Sequence, residues 1–197
     1  MTRHFVTDRR RFHLSTADLV VRAGNAMRAG VDVIQVRERD LPDRQLAALV
    51  REIVGVTAGT KTRVVVNDRA DIAITAGAAG VHLRGESASA SRVRGMTPEG
   101  FLIGRSVHSL ADVDAAVAAG GCDYLLFGTV FPSEGKPDGH PVAGLDALRQ
   151  VCLRSLVPVI AIGGMTAPRA AAVQEAGASG FAAVSMFTCL TPLPQVV

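Results

Sequence analysis

Short apolar segments alternate with amphipathic segments along the whole chain. The apolar segments are bounded by turn residues and have the length of strands buried on both faces, as in a parallel sheet. Eight predicted strands cover residues 4–8, 31–37, 63–67, 80–83, 101–106, 122–128, 157–162 and 180–184. Eight strands alternating with helices predict the α/β fold class and, within it, a (β/α)8 TIM barrel, with an open doubly wound sheet as the competing fold.

The segments between the strands carry helix signals. Ser15 and Ser109 each precede a helical pattern and are followed three residues later by an aspartate, so both helix starts resemble capping boxes. The first helix is expected to stop at Gly30, and the second follows Pro42. These signals support helices between the strands.

The chain after the eighth strand is short. Only residues 186–197 remain, and Pro192 and Pro194 interrupt them, so the last helix is predicted to be short or missing. We assign residues 1–197 to a single TIM-barrel domain. A barrel without its last helix would expose apolar strand surface, and we expect another copy of the chain to cover it in a homo-oligomer. The predicted core residues are Val31, Val33, Val64, Val65, Ile103, Leu125, Ile160 and Ala182.

Composition narrows the class of protein. Of the 197 residues, 48% are hydrophobic and 20% are charged, which excludes a disordered chain. The formal net charge is only +3 and aromatic residues make up 4%, too few for base-stacking surfaces, so we expect no nucleic-acid partner. We also expect a cytoplasmic protein without membrane contact, because no apolar run could span a bilayer, no signal-peptide pattern begins the chain and the three cysteines are widely spaced.

Polar residues follow almost every predicted strand. In a (β/α)8 barrel the carboxyl ends of the strands converge on one mouth, so these residues would meet there. A shared binding site explains the pattern, although ordinary loop polarity is the simpler explanation for any single residue. The residues are Asp8, Arg37, Glu38, Arg39, Asn67, Asp68, Arg69, His82, Arg105, Ser106, His108, Gly128, Thr129, Gly163, Gly164 and Ser185.

The seventh strand ends in a candidate phosphate site. Gly163 and Gly164 follow it directly, and Pro168 stands where the first turn of a helix accepts proline. Bare backbone N–H groups at a helix start bind phosphate, and the eighth strand ends at Ser185 and Met186, where barrels of this class complete a phosphate site. An ordinary turn with glycines for close packing is the alternative. If the site is real, Gly164→Asp should abolish ligand binding without unfolding the barrel.

His108 is the strongest candidate for an acid or base. An imidazole can take up and return a proton, and His108 lies just past a strand end, next to a predicted helix cap. His82 also ends a strand but is expected to be structural. The remaining histidines, expected at the surface or in loops, are His4, His13 and His140.

Three basic residues could hold the anionic groups of a substrate. Arg37 and Arg39 lie two apart and share one face of an extended strand, from which they could bind a carboxylate or phosphate; a salt bridge with Glu38 or Asp68 is the alternative. Lys136, in a long loop, could reach an anion or remain solvated. Asp68 is the one rim carboxylate in a plausible metal position, and a single carboxylate makes a poor Mg²⁺ site.

Six short motifs stand at the strand ends. They are Gln35-Val36-Arg37-Glu38-Arg39, Val66-Asn67-Asp68-Arg69, Gly80-Val81-His82-Leu83, Gly104-Arg105-Ser106-Val107-His108-Ser109, Phe127-Gly128-Thr129-Val130-Phe131-Pro132 and Ala161-Ile162-Gly163-Gly164-Met165. Together and in this order they resemble the thiamine phosphate synthase/TenI superfamily. The resemblance covers nearly the whole chain and implies a (β/α)8 barrel, cytoplasmic thiamine biosynthesis and a phosphorylated thiazole or pyrimidine ligand.

One branch of this superfamily, the synthases, joins a pyrimidine diphosphate to a thiazole phosphate with Mg²⁺. Its pattern has a second magnesium-binding aspartate shortly after the His-Leu of the fourth strand, and Thr-x-Thr-Lys after the Phe-Pro of the long loop for the diphosphate. Here Ser87 stands where that aspartate would fall, both threonines before Lys136 are absent, Glu134 adds negative charge, and Arg39 replaces the usual lysine. Asp68 would bind a metal only if this branch applied.

The other branch, named after TenI, aromatises a carboxythiazole phosphate by moving a proton from a ring carbon to the exocyclic carbon, and needs no metal. We therefore predict an isomerase, a thiazole tautomerase without a cofactor, whose partner is a phosphorylated thiazole. The alternatives are the Mg²⁺-dependent synthase, which the retained Asn67-Asp68-Arg69 favours, and a non-catalytic TenI-like ligand-binding protein. The predicted roles are acid and base for His108, substrate binding for Arg37, Arg39, Asn67, Ser106 and Lys136, and phosphate binding for Gly163, Gly164, Ser185 and Met186.

Overall fold

The computed structural model describes residues 1–134, 137 and 139–188. Its strands are β1 (Thr2–Val6), β2 (Val33–Val36), β3 (Arg63–Asn67), β4 (Gly80–Leu83), β5 (Leu102–Val107), β6 (Tyr124–Phe127), β7 (Val159–Ile162) and β8 (Gly180–Ala183). All neighbours are parallel and follow chain order, and β8 pairs with β1 to close the barrel. The predicted (β/α)8 barrel is confirmed.

Within the described residues a helix follows each strand. The helices are α1 (Thr16–Arg28), α2 (Asp43–Thr57), α3 (Ala70–Thr75), α4 (Ala90–Arg94), α5 (Leu110–Ala119), α6 (Gly144–Arg154), α7 (Ala167–Glu175) and α8 (Ser185–Thr188). Both predicted capping boxes are present, with Ser15 bonded reciprocally to Asp18 and Ser109 to Asp112. The second box matters for function, because it begins α5 directly beside the barrel mouth.

The core has an outer and an inner part. The outer part lies between the barrel and its helices, and the inner part joins apolar side chains inside the barrel. All eight residues predicted to be core are buried. The inner cluster consists of Val6, Tyr124, Leu126, Ile160 and Ala182.

The first strand begins two residues earlier than predicted, at Thr2 instead of His4. Its pairing with β8 sets Thr2 opposite Gly180. His4 consequently lies in the middle of a fully paired strand, 1% exposed, with its ring packed against the rings of His82 and Tyr124. The expectation that His4 lies at the surface or in a loop is wrong, because strand pairing on both sides places its ring among the buried rings of His82 and Tyr124.

The last described helix is short, as predicted, with four residues. Its Phe187 is buried and stacks on Phe181, with ring centroids 5.9 Å apart, and meets Phe5 edge-on. This stub therefore covers part of the strand surface that a full helix would cover. Residues 189–197 lie outside the described part, so the single domain over 1–197 and the homo-oligomer stay predictions. None of the helices described is long and apolar enough to cross a membrane.

Candidate functional site

A cavity of about 650 Å³ opens where the carboxyl ends of the strands meet. It collects most of the polar residues predicted to lie at the mouth. These are Asp8, Arg37, Arg39, Asn67, His82, Ser106, His108, Gly128, Thr129, Gly163, Gly164 and Ser185. The predicted rim residues that do not line it are Glu38, Asp68, Arg69 and Arg105.

Positive side chains outnumber negative ones around this cavity. The arginines are Arg11, Arg37, Arg39, Arg84 and Arg169, and the carboxylates are Asp8, Glu86 and Glu134. Glu134 is almost fully exposed and lies 3.7 Å from Arg11. A concave surface with this balance of charge favours an anionic ligand.

His108 is held in one tautomer by the elements on either side of it. Its backbone N–H donates to the carboxylate of Asp112, 2.8 Å away, in the capping box of α5. Its Nδ1 lies 2.6 Å from the carbonyl oxygen of Gly128, after β6. Because a carbonyl oxygen can only accept, Nδ1 carries a proton, and the neutral form of the ring therefore has its lone pair on Nε2. Since His108 lines the cavity, it offers a base there.

Arg37 and Glu38 have different surroundings although they are adjacent in sequence. Arg37 lines the cavity and pairs with Asp8 at 3.2 Å. Glu38 is 4% exposed and accepts the backbone N–H of Arg9. Burial raises the pKa of Glu38, with bonds from Thr7 and Arg9 opposing the rise. Glu38 therefore anchors the loop after β1. Arg37 does form a salt bridge, but its partner is Asp8 and neither Glu38 nor Asp68, the two partners considered from the sequence.

Arg39 is a cation available to a ligand. It lines the cavity and makes no hydrogen bond or ion pair with the residues that the structure describes. Partial burial lowers the pKa of its guanidinium, and the positive charges of Arg37 and Arg84 lower it further. An anionic group bound here would relieve this repulsion.

The carboxylate of Asp68 is occupied by protein groups. Arg84 Nε lies 2.8 Å from one oxygen, and the hydroxyl of Ser87 donates to the other. Partial burial acts to raise the pKa of Asp68, but the bonds from Ser87 and Arg84 outweigh it and the pKa is lowered. Over the described ranges, no group of three or more His, Cys, Asp or Glu residues could hold a metal. These residues fit Mg²⁺ poorly, because one carboxylate that already binds two donors has little to offer a hard cation.

Two predicted substrate-binding residues, Asn67 and Ser106, connect to polar groups inside the barrel. Asn67 accepts the side-chain amide of Gln35 at 3.1 Å, and Ser106 Oγ lies 2.9 Å from His82 Nε2. Gln35 lines the cavity, is 2% exposed, and its Oε1 has no partner among the described residues. Sequence reasoning missed Gln35 as a site residue, although a polar residue inside an otherwise apolar strand was an available signal.

Gly163 and Gly164 form the predicted backbone turn after β7. Their φ angles are 107° and 60°, in the left-handed region that glycine enters without strain. A Cβ on Gly163 would lie 2.5 Å from Thr129, and one on Gly164 would lie 2.2 Å from the carbonyl oxygen of Pro132. The glycines therefore let the loop after β6 close against β7. Gly164→Asp would displace this loop as well as add a charge, so it is a poor test of the phosphate site.

The other two predicted phosphate ligands, Ser185 and Met186, differ in their positions relative to the cavity. Ser185 lines the cavity, whereas Met186 does not and packs its side chain against the core. Arg169, in the first turn of α7, donates to the carbonyl of Gly164 at 2.5 Å and lies over the ring of Phe131. Arg169 was not predicted as a site residue, although the sequence shows a basic residue in the first turn of the helix that follows the two glycines. Lys136 lies outside the described residues.

Comparison with known proteins agrees with the motifs. The family model described as thiamine monophosphate synthase matches residues 3–187. The chain is 42% identical over 160 residues to a thiamine-phosphate synthase of Methanoculleus marisnigri, which covers 81% of this chain and 75% of that protein. It is 38% identical over 193 residues to a putative thiamine-phosphate synthase of Geobacter sulfurreducens, which covers 98% and 87%.

Solved structures share the fold. Thiamine phosphate pyrophosphorylase from Pyrococcus furiosus superposes with a TM-score of 0.80 at 30% identity, over 93% of this chain and 85% of that one. A 3-hexulose-6-phosphate synthase superposes with a TM-score of 0.69 at 20% identity, over 94% and 90%, which shows the fold alone. The thiamine-related names agree with the synthase alternative and not with the predicted tautomerase. The chain belongs to the thiamine monophosphate synthase family of thiamine-biosynthesis enzymes.

Proposed function

We propose that this enzyme is a thiazole tautomerase that aromatises a carboxythiazole phosphate by metal-independent proton transfer. The observation that carries the proposal is the state of His108. Its Nδ1 is bonded to the carbonyl of Gly128 at 2.6 Å, which leaves the Nε2 lone pair of the neutral ring for a substrate proton. A positioned base of this kind accelerates a proton transfer by roughly 100- to 10,000-fold.

The reaction moves one proton and shifts the double bonds, and needs no oxidant or reductant. His108 Nε2 takes the proton from the ring carbon, and the electron pair of that C–H bond enters the ring, which becomes aromatic. The exocyclic C=C bond is lost, because one of its electron pairs forms the new C–H bond with the proton that the imidazolium returns, so the histidine regains its starting form. One residue can serve as acid and base because a neutral imidazole accepts a proton and an imidazolium donates one.

The phosphate and carboxylate would orient the substrate over this base. The backbone N–H groups around Gly163, Gly164 and Ser185 are the proposed phosphate ligands, with the Arg169 guanidinium alongside. Arg39 is the proposed carboxylate ligand, because Arg37 is already paired with Asp8. Binding energy from groups remote from the reacting carbon then supplies orientation.

The second candidate is thiamine-phosphate synthase, which the names of the relatives favour. The identity of 42% over 160 residues is the strongest single argument for it, and Asn67-Asp68-Arg69 matches the synthase pattern. Against it, Asp68 is bonded to Arg84 and Ser87, and Glu134 stands where a diphosphate would need positive charge. The relatives and the side chains of the site therefore point to different reactions within one pathway.

Two assays on one preparation decide between the candidates. In the first, the carboxythiazole phosphate tautomer is incubated with enzyme, with and without EDTA, and the ultraviolet change of the ring is followed. In the second, the pyrimidine diphosphate and thiazole phosphate are incubated with Mg²⁺, and thiamine phosphate is measured. Isomerisation that survives EDTA, without thiamine phosphate formation, supports the tautomerase. Efficient Mg²⁺-dependent formation of thiamine phosphate would overturn it in favour of the second candidate.

A further inference from the structure

Three side chains form a hydrogen-bonded row inside the barrel, from its buried interior to the cavity. The Tyr124 hydroxyl lies 3.1 Å from Nδ1 of His82, and Nε2 of His82 lies 2.9 Å from Oγ of Ser106. His82 is 1% exposed and Tyr124 is 8% exposed, whereas Ser106 is only partly buried. His82 and Ser106 line the cavity. The row therefore connects a buried hydroxyl to one that a ligand can reach.

The sheet register assembles this row. β4, β5 and β6 set His82 opposite Gly104 and Gly104 opposite Tyr124, so the two rings flank a residue without a side chain. A Cβ on Gly104 would lie 2.0 Å from Cζ of Tyr124, which shows that the tyrosine ring occupies the space above the glycine. The rings of His82 and Tyr124 stack with centroids 5.6 Å apart. This packing leaves neither ring free to turn away.

The hydrogen bonds of the row can run in only one direction if every buried group is satisfied. His82 is the single partner of the Tyr124 hydroxyl among the described residues, so the phenolic hydrogen must be donated to Nδ1. Burial keeps the ring of His82 neutral by lowering its pKa to about 3, and a neutral ring has one N–H. That hydrogen is then on Nε2 and is donated to Oγ of Ser106. The hydroxyl hydrogen of Ser106 is left for the cavity.

We propose that Tyr124 and His82 are positioning residues that make Ser106 a hydrogen-bond donor toward an acceptor atom of the substrate. The acceptor would be a carboxylate oxygen or the ring nitrogen of the heterocycle. If Tyr124 did not donate to Nδ1, His82 could carry its proton there and leave Nε2 as an acceptor. The Ser106 hydroxyl would then donate its hydrogen to His82 and could only accept hydrogen bonds from the substrate. The proposal rests on the proposed function only for the choice of assay substrate, because both candidate reactions use a phosphorylated heterocycle bearing acceptor atoms.

The position of the proton on His82 is measurable without any activity. Nitrogen-15 NMR of the imidazole in the full-length protein at neutral pH should show an unprotonated Nδ1 and a proton coupled to Nε2. In Tyr124→Phe, which keeps the ring but removes the hydroxyl, the Nδ1 signal should shift because its donor is gone. A proton on Nδ1 in the natural protein would overturn the proposal outright.

A double-mutant cycle then tests whether the row acts through Ser106. The readout is kcat/KM for the thiazole tautomer, or for thiamine phosphate formation if that assay is the positive one. Loss of one hydrogen bond should lower kcat/KM by about three- to tenfold in Ser106→Ala, and Tyr124→Phe should lower it by a similar or smaller factor. Because Tyr124 acts through Ser106, adding Tyr124→Phe to Ser106→Ala should cause no further loss.

Thr57→Val is the matched control for a lost buried hydroxyl. Thr57 is 5% exposed and bonds to the carbonyl of Ile53 within α2, away from the cavity. Its effect, if any, should multiply with that of Ser106→Ala. If the effects of Tyr124→Phe and Ser106→Ala on kcat/KM also multiply, Tyr124 has a purely structural role and the proposal is wrong. Full activity in Ser106→Ala would also defeat the proposal. Failure of both activity assays would count against the proposed function, while the NMR measurement would still decide the direction of the row.

Discussion

Arg84 and Asp68 form an ion pair beside the candidate site, with Nε of Arg84 2.8 Å from one carboxylate oxygen of Asp68, and the hydroxyl of Ser87 donates a hydrogen bond to the other oxygen. Ser87 thus touches Asp68 at the place where the synthase pattern, by resemblance, has a second metal-binding aspartate. The serine and the arginine together neutralise and saturate a carboxylate that a divalent cation would otherwise use. This relationship separates the two candidate functions more sharply than the shape of the barrel does.

We predict that millimolar Mg²⁺ leaves the melting temperature of the natural protein unchanged. In Ser87→Asp combined with Arg84→Gly, two carboxylates would face each other without the Arg84 cation that now pairs with Asp68, so Mg²⁺ should raise the melting temperature by mass action. Ser87→Asn combined with Arg84→Gly is the control of similar size without the added charge and should not respond. Stabilisation of the natural protein by Mg²⁺ would contradict the prediction and strengthen the synthase candidate.

His108→Asn should lower the rate of thiazole isomerisation by about 100-fold or more, because asparagine keeps size and polarity but cannot take up the proton. Affinity for the phosphorylated thiazole should change little, since the phosphate ligands are separate residues. The rate comes from single-turnover absorbance changes and the affinity from calorimetry. His13→Asn is the control, because His13 is exposed and its φ of 52° is one that asparagine tolerates. A normal rate in His108→Asn would remove His108 as the base but leave the reaction standing.

The sequence predicted the barrel well but not the side chains inside it, and the reason is physical. Strands buried on both faces have no alternation of apolar and polar residues from which to read direction. His4 and Gln35 are recognisable as polar residues within their strands, but the sequence does not tell which way their side chains point, and both are at least 98% buried. Arg37 and Glu38 lie just beyond the end of β2, at Val36, so their surroundings depend on which loop each side chain meets. The spacing of residues along the sequence does not specify those loop contacts.

Arg39→Gln should weaken binding of the carboxylated thiazole phosphate by about tenfold or more, because a charge-assisted hydrogen bond is lost. The affinity for the corresponding thiazole phosphate without the carboxylate should be nearly unaffected. This difference between the two ligands distinguishes a specific contact of Arg39 with the carboxylate from a general loss of positive charge in the cavity. Arg44→Gln, on the exposed face of α2, is the matched control. Equal losses for both ligands would assign Arg39 to the phosphate instead.

The stability of the protein should fall as the pH drops from about 6.5 to about 5, because of the buried histidines. Burial lowers the pKa of His4 to about 4 and that of His82 to about 3, where the neighbouring His4 and Arg37 also lower it and Asp68 opposes them. Well above pH 6.5, the ordinary pKa of histidine, both rings are neutral in the folded and unfolded chains, so they add no pH dependence. Below pH 6.5 the histidines of the unfolded chain become protonated while those of the folded chain stay neutral. Each ring then lowers the free energy of unfolding by up to about 1.4 kcal/mol per pH unit.

Urea unfolding at several pH values measures this slope. His4→Asn should remove one of the two proton uptakes and so reduce the slope by up to about 1.4 kcal/mol per pH unit, whatever its effect on stability at pH 7. An unchanged slope in this variant would show that His4 is not buried in its neutral form.

Ser185→Asp should abolish binding of phosphorylated ligands while the barrel stays folded. Ser185 is exposed, lines the cavity and begins α8, so an aspartate there causes no backbone strain and suits a helix start. Its carboxylate would repel the phosphate from the N–H groups at Gly163 and Gly164, without the clash with Pro132 that a side chain at Gly164 would create. Calorimetric titration with thiazole phosphate, alongside a thermal melt, separates loss of binding from loss of fold. Ser91→Asp adds the same charge to the exposed surface of α4 and should bind normally. Undiminished binding in Ser185→Asp would place the phosphate elsewhere in the cavity, with the Arg37 and Arg39 side as the next position to test.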